Sequence, residues 1–185
     1  PLVVRLKEVR PDVEIDWLVN RSFAPLLEGH PAIDRVVPFD RGRWQGPLAT
    51  WEARGELRDL ARRLRTGRYD VALDLQGLLR SAVLSVLSGA RRRIGFAGAR
   101  EGSAFFYHRR HPQPARLVHA VHRNLSLLEA IGVRVDPTVP IVRLVMYLSA
   151  SNRVMTSSTE ANMVALVRGT LTHAPPQSKR SSGDG

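Results

Sequence analysis

The chain has 185 residues, enough for one domain with its own hydrophobic core. It contains no cysteine, which excludes disulfide bonds, thiolate zinc sites and a cysteine nucleophile. Its formal net charge is +11, and all of its basic residues except Lys7 and Lys179 are arginine, so a phosphate- or carboxylate-bearing partner is expected. Codon usage and ordinary solvated surface are the alternative explanation for part of this excess.

The amino-terminal part of the chain predicts alternating helices and strands. Residues 2–10 place apolar side chains at helical spacing, and Pro11 ends that pattern. Residues 14–19 predict a buried strand, residues 23–27 a short helix and residues 35–38 a second strand. This alternation is typical of an α/β domain.

A longer amphipathic helix is predicted over residues 50–65, with Thr50 as its N-cap. Its apolar stripe consists of Leu57, Leu60, Ala61 and Leu64. Its other face carries arginines at three- and four-residue spacing, namely Arg54, Arg58, Arg62 and Arg65. Because like charges at that spacing repel each other, a solvated face is the expected role, and an anion site is the alternative.

The next elements continue the same pattern. A strand at residues 71–73 precedes a helix at 78–87, and a strand at 93–96 precedes a helix at 118–131 that ends at Gly132. Strands separated by helices of this length pair in parallel through right-handed crossovers. The sequence therefore predicts an α/β fold with a Rossmann-like parallel sheet.

Polar residues follow the strand at residues 71–73, at the end where α/β proteins bind ligands. Asp74 and Gln76 offer an acceptor and an amide, and Gly77 allows a close backbone approach. Capping of the following helix is the alternative role for Asp74.

Several segments match one known family in the same order along the chain. They are YDVALDLQGLLRSA (69–82), PLVVRLK (1–7), DWLV (16–19), Phe23-Ala24, DRVVP (34–38), Arg43-Trp44, Ala99-Arg100-Glu101, Phe106-Tyr107 and His119-Ala120-Val121. Through them the chain resembles the lipopolysaccharide heptosyltransferases, glycosyltransferase family 9, and most closely their heptosyltransferase I branch. The resemblance covers about residues 1–140.

This resemblance implies the amino-terminal, acceptor-binding half of a two-domain GT-B glycosyltransferase. Residues 1–140 would form that domain without its first strand, and residues 141–185, rich in Ser and Thr, would form a divergent, poorly ordered tail. A further strand within the tail, at residues 141–148, is the other expectation. A frame shift or truncation near Pro140 is a hypothesis that fits the change in composition.

The implied reaction transfers heptose from ADP-heptose to a Kdo residue of Kdo-lipid A, with inversion and without a metal. The family's catalytic aspartate would lie upstream of Pro1, so no catalytic or donor-binding residue is assigned here. The isolated chain is therefore expected to be inactive. No cofactor is expected, and the histidines show no convincing metal-ligand spacing, since His119 and His122 have no carboxylate partner nearby.

The resemblance implies that Arg43 and Arg100 contact the acidic sugars and phosphates of the acceptor. The complete predicted acceptor site comprises Arg43, Trp44, Asp74, Gln76, Gly77, Arg100, Arg109 and Arg110, with the arginines converging on one anionic face. Trp44 would stack on a sugar or anchor its loop. Glu101 would orient Arg100 or cap a helix, and the structural role is favoured.

Two other functions remain open. Basic and aromatic residues interleave between Arg91 and Arg116, as in a platform for single-stranded nucleic acid, but Phe105 and Phe106 are expected to pack inward, which disfavours it. A non-catalytic α/β interaction domain is the second alternative. No apolar run of about 18 residues and no signal-peptide pattern is present, so a cytoplasmic location, with peripheral association at the inner membrane, is expected.

Overall fold

A computed structural model describes residues 1–40, 51–113, 120–135 and 163–169 of the chain. The helices are α1 (Leu2–Val9), α2 (Trp51–Arg65), α3 (Leu79–Leu87) and α4 (Ala120–Ser126). The strands are β1 (Glu14–Asn20), β2 (Arg35–Phe39), β3 (Val71–Asp74), β4 (Arg92–Phe96), β5 (Arg109–His111) and β6 (Met163–Arg168). Three short 3-10 helices span Arg21–Leu26, Ser103–Phe106 and Leu127–Ile131. The predicted N-cap Thr50 and the predicted strand at 141–148 lie outside the described residues.

The strands form one sheet in the order β2-β1-β6-β3-β4-β5. The pairs β1/β2, β3/β4 and β4/β5 are parallel, and α3 connects β3 to β4. These parallel pairs and the helices around them confirm the predicted Rossmann-like α/β fold.

Strand β6 lies between the two parallel halves of the sheet and runs antiparallel to both neighbours, β1 and β3. Its four central residues, Val164 to Val167, are fully buried. For residues 163–169, the expectation of a poorly ordered tail is therefore wrong. The reason is the apolar run MVALV, which is suited to a strand covered on both faces.

Apolar clusters fill both sides of the sheet. On one side, α1 and α4 cover alternate strand residues such as Val71 and Leu73. On the other side, α2 and α3 cover residues such as Ala72. The apolar stripe predicted for α2 is confirmed, since Leu60 and Leu64 are buried in this second cluster. The sheet is thus the middle of three layers.

A charged cluster ties β6 to β1 at the edge of the sheet where the parallel strands begin. Arg168 pairs with Glu14 and approaches the fully buried carboxylate of Asp16 at 3.5 Å. Asp16 also accepts hydrogen bonds from Arg35, at 2.6 Å, and from the hydroxyl of Tyr69. This edge lies opposite the polar turn that follows β3, so the cluster stabilises the sheet away from the candidate site.

Candidate functional site

The candidate site begins at the turn after β3, at the end of the sheet where parallel strands place ligands. The side chain of Asp74 is fully buried there. Its Oδ1 accepts the backbone N–H groups of Gln76 and Gly77, each at 3.0 Å, and its Oδ2 accepts the hydroxyl of Tyr107 at 2.7 Å. Burial raises the pKa of Asp74, although these hydrogen bonds act in the opposite direction.

The prediction that Asp74 contacts a ligand directly is therefore wrong for this structure, because no part of its carboxylate is exposed. Its side chain accepts hydrogen bonds from the turn that follows β3, before α3 begins. Asp74 therefore stabilises this turn and does not cap the helix. Tyr107, which was not among the predicted acceptor-site residues, supplies the second anchor. Burial and the charge of Asp74 raise the pKa of the Tyr107 phenol, which keeps its hydroxyl a donor.

The backbone of Gly77 fixes the turn to the loop that follows β4. Gly77 has a φ of +72°, and a Cβ at this position would lie 3.3 Å from the Cβ of Ala99. Its carbonyl accepts the N–H of Arg100 at 2.8 Å and the hydroxyl of Ser103 at 3.0 Å. The structure thus brings Gly77 and Arg100 together across two loops that are more than twenty residues apart in sequence.

Gln76 lies half-buried beside Gly77. Its amide oxygen is buried and finds no hydrogen-bond donor among the described residues. A buried acceptor of this kind is destabilising until a donor reaches it.

Glu101 caps α3. Its carboxylate accepts the N–H of Leu79 at 3.1 Å, while its own backbone has a φ of +57°. The structural alternative proposed for Glu101 is therefore the one observed. The guanidinium of Arg100 is exposed and makes no hydrogen bond or ion pair with the residues that the structure describes.

Arg109 and Arg110 do not converge. They are consecutive residues of β5, so their side chains leave opposite faces of the sheet. Arg110 donates to the carbonyl of Ala104 at 3.0 Å and stacks over Phe105, with 5.6 Å between the guanidinium and the ring centroid. His111 lies on the same face of β5 as Arg109. Burial and the charge of Arg109 lower the pKa of His111. The predicted convergence of both arginines on one ligand is wrong because it ignored this alternation.

Phe105 is 80% exposed, so the expectation that it packs inward is wrong. Leu79, at the start of α3, is a second large apolar residue at the surface, with 41% of its area exposed. Both belong to segments that hold the turn and its neighbouring loop.

Three residues discussed for function, Arg43, Trp44 and His119, lie outside the described residues. Within the described ranges, none of the helices has the length and apolar content needed to cross a membrane. In the same ranges, no group of three or more histidines and carboxylates is arranged to hold a metal ion.

Comparison with known families decides the lineage. The model of glycosyltransferase family 9 (heptosyltransferase) matches residues 57–172, more than half of the chain. The chain belongs to this family. The match continues beyond residue 140, so the prediction that the resemblance ends there is wrong.

Curated relatives agree with this membership. Lipopolysaccharide heptosyltransferase 1 of Salmonella typhimurium is 32% identical over 130 residues, which is 69% of this chain and 41% of the relative. The protein of the same name from Pseudomonas aeruginosa is 37% identical over 119 residues, 63% of this chain and 34% of the relative. The chain therefore spans less than half the length of these relatives.

Solved structures show the same relationship. Escherichia coli heptosyltransferase WaaC with ADP superposes with a TM-score of 0.67 at 27% identity, covering 80% of this chain and 47% of that one. WaaC with ADP-2-deoxy-2-fluoro heptose gives the same TM-score at 28% identity, over 76% of this chain and 45% of WaaC. The chain thus matches a little less than half of WaaC.

Proposed function

We propose that this chain provides the acceptor-binding domain of a lipopolysaccharide heptosyltransferase. The whole protein would transfer heptose from ADP-heptose to Kdo-lipid A, by inversion and without a metal. The observation that carries the proposal is the contact between Gly77 and Arg100 at the carboxyl end of the parallel strands, in a chain that belongs to glycosyltransferase family 9. The WaaC structures hold ADP and ADP-2-deoxy-2-fluoro heptose, which supports ADP-heptose as the sugar donor.

In this proposal, the exposed guanidinium of Arg100 binds a phosphate or carboxylate of the acceptor bidentately. The unpaired amide oxygen of Gln76 accepts a hydrogen bond from a sugar hydroxyl. Asp74 is a positioning residue, because it holds the two backbone N–H groups of the turn and touches no ligand itself. Arg43 and Trp44 remain proposed contacts, and they lie in sequence between β2 and α2.

Peripheral association with the cytoplasmic face of the inner membrane is part of the same proposal. The exposed side chains of Phe105 and Leu79 lie on the segments that flank Arg100, and Arg110 stacks on Phe105. Apolar side chains beside arginines suit the interface of an anionic membrane. This arrangement would hold the turn near a lipid-linked acceptor.

Binding of Kdo-lipid A in detergent micelles by the full chain tests the proposal. Arg100→Gln should weaken binding about ten-fold, because it removes a charge-assisted, bidentate contact. Arg63→Gln, an equal loss of charge on an exposed part of α2, is the matched control and should change binding less than about two-fold.

Binding of a single-stranded oligonucleotide distinguishes the nucleic-acid alternative from the acceptor proposal. Binding through phosphates alone falls steeply with added salt and is indifferent to sugar structure. The acceptor proposal requires preference for Kdo-lipid A at physiological salt. Equal or tighter binding of the oligonucleotide, or identical losses in Arg100→Gln and Arg63→Gln, would refute it.

A further inference from the structure

An arginine-lined cavity lies at the opposite edge of the sheet from the candidate acceptor site. It occupies about 480 Å³ between the end of α2 and the turn that leads into β3. Its lining comprises Arg58, Ala61, Arg62, Arg65, Thr66 and Arg68, so four of six residues carry a guanidinium. We propose that this arginine-lined cavity binds a ligand with two or more phosphate groups, independently of the heptosyltransferase function.

Within the part of the chain that the structure describes, little negative charge compensates the arginines of the cavity. Arg62 pairs with Asp59 at 2.9 Å, but both side chains are largely exposed, so this pair neutralises little. Among the described residues, no carboxylate pairs with Arg58, Arg65 or Arg68. Guanidinium groups three or four residues apart on one helix face repel each other, and a bound polyanion would remove that repulsion.

The helix dipole does not account for this arrangement. The negative end of a helix stabilises cations in its last turn, which covers Arg62 and Arg65. Arg58 lies nearly two turns before the end of α2, and Arg68 follows the helix. The four side chains nevertheless line one cavity.

The backbone around the cavity is held in place before any ligand arrives. The hydroxyl of Thr66 donates to the carbonyl of Arg63 at 2.7 Å. Gly67 packs so closely against the buried ring of Tyr69 that any Cβ there would overlap it. Arg68 has a φ of +48°, which is costly for a residue with a Cβ. A fixed turn that carries an arginine in this conformation suits preorganised binding.

The ligand class follows from this chemistry. Arginine binds phosphate bidentately, and a cavity of about 480 Å³ with four guanidinium groups offers more donors than one phosphate can use. Free diphosphate and the two-phosphate headgroup of cardiolipin both present this chemistry. Since the cavity and Arg100 lie at opposite edges of the sheet, each site can fail without the other.

Calorimetric titration of the full chain with inorganic pyrophosphate tests the binding step. The variant Arg58→Gln with Arg65→Gln should lose about ten-fold or more in affinity, because glutamine keeps helix propensity but removes the charge. Arg54→Gln with Arg63→Gln removes the same charge from α2 outside the cavity, and should stay within about two-fold of the parent. Thermal unfolding of both variants checks that each is folded.

Vesicles distinguish the two sources of phosphate. If the ligand is a lipid headgroup, vesicles containing cardiolipin bind, pyrophosphate competes, and the Arg58/Arg65 variant fails to bind while the control binds. If the ligand is a free phosphate compound, pyrophosphate binds but the vesicles do not compete. Absent pyrophosphate binding, or equal losses in the two variants, overturns the proposal. Tighter binding of a single-stranded oligonucleotide that is unaffected by the cavity variant likewise assigns the charge to the surface at large.

Discussion

Tyr69 links the strands on either side of β6 through one buried hydroxyl. The side chain is 1% exposed, and its hydroxyl donates to Asp16 at 2.5 Å and accepts from Arg35 at 3.0 Å. Burial, together with the hydrogen bond to Asp16 and its charge, raises the pKa of Tyr69 from 10.0 to about 12. The folded state therefore holds this proton more tightly than the unfolded state does.

This difference predicts the alkaline stability of the domain. A raised folded-state pKa contributes stability that is complete below pH 10.0 and is lost as the pH rises from there to about 12. Tyr69→Phe should flatten the fall in unfolding free energy over this range, and should lower stability at neutral pH by about 1–2 kcal/mol through lost hydrogen bonds. Urea denaturation at a series of pH values measures both effects. Equal slopes for the two proteins would contradict the assignment.

Single residues also show what sequence can and cannot predict about the candidate site. The position of Asp74 at the end of a buried strand was predictable from the apolar run before it. The role of Asp74 was not predictable, because a carboxylate in such a turn can face a ligand or its own backbone. The hydrogen-bond donor to its second oxygen, Tyr107, is also distant in sequence. The same holds for Phe105, whose exposure depends on how the loop after β4 packs.

Among the elements, β6 contributes to both apolar clusters of the core. Its side chains alternate between the two apolar clusters, with Ala165 and Val167 on one face and Val164 and Leu166 on the other. Central strands of this kind carry packing from both sides. Removing side-chain volume from β6 should therefore cost as much as removing it from any core helix.

Leu166→Ala tests that role. The side chain is fully buried, so its truncation should lower the unfolding free energy by about 2–4 kcal/mol, through lost burial and the cavity left behind. Val4→Ala in α1, where the side chain is 39% exposed, serves as the control and should cost less than about 1 kcal/mol. Chemical denaturation measures both. A near-neutral Leu166→Ala would show that β6 does not belong to the core in solution.

The helices and parallel strands were predictable because each carries a long periodic pattern. The stripe of α2 spans two full turns, and β3 precedes a clear turn. Strand β5 was missed because its three residues, two of them arginine, show no apolar pattern. Strand β6 carries an apolar run, but the Ser- and Thr-rich residues around it predicted disorder, and burial between β1 and β3 is a tertiary effect.

At the scale of the whole molecule, the fold class followed from the order of elements and from family motifs. The direction of β6 did not follow from either, because a parallel sheet is the rule for chains with this alternation. Strand β6 contributes side chains to both apolar clusters and also pairs with both parallel halves of the sheet. Its position therefore couples the two sides of the sheet.

The two sides of the sheet should consequently unfold as one unit. Leu84→Ala, which removes volume only from the cluster under α2 and α3, should lower amide-exchange protection in α1 as much as in α3, by about 2–4 kcal/mol. The coupling acts through β6, since the loss of packing on one face of a shared strand lowers the free energy of opening it from either face. Hydrogen exchange resolved by helix is the measurement. If α1 keeps its protection while α2 and α3 lose theirs, the clusters are independent and β6 is not the strand that couples them.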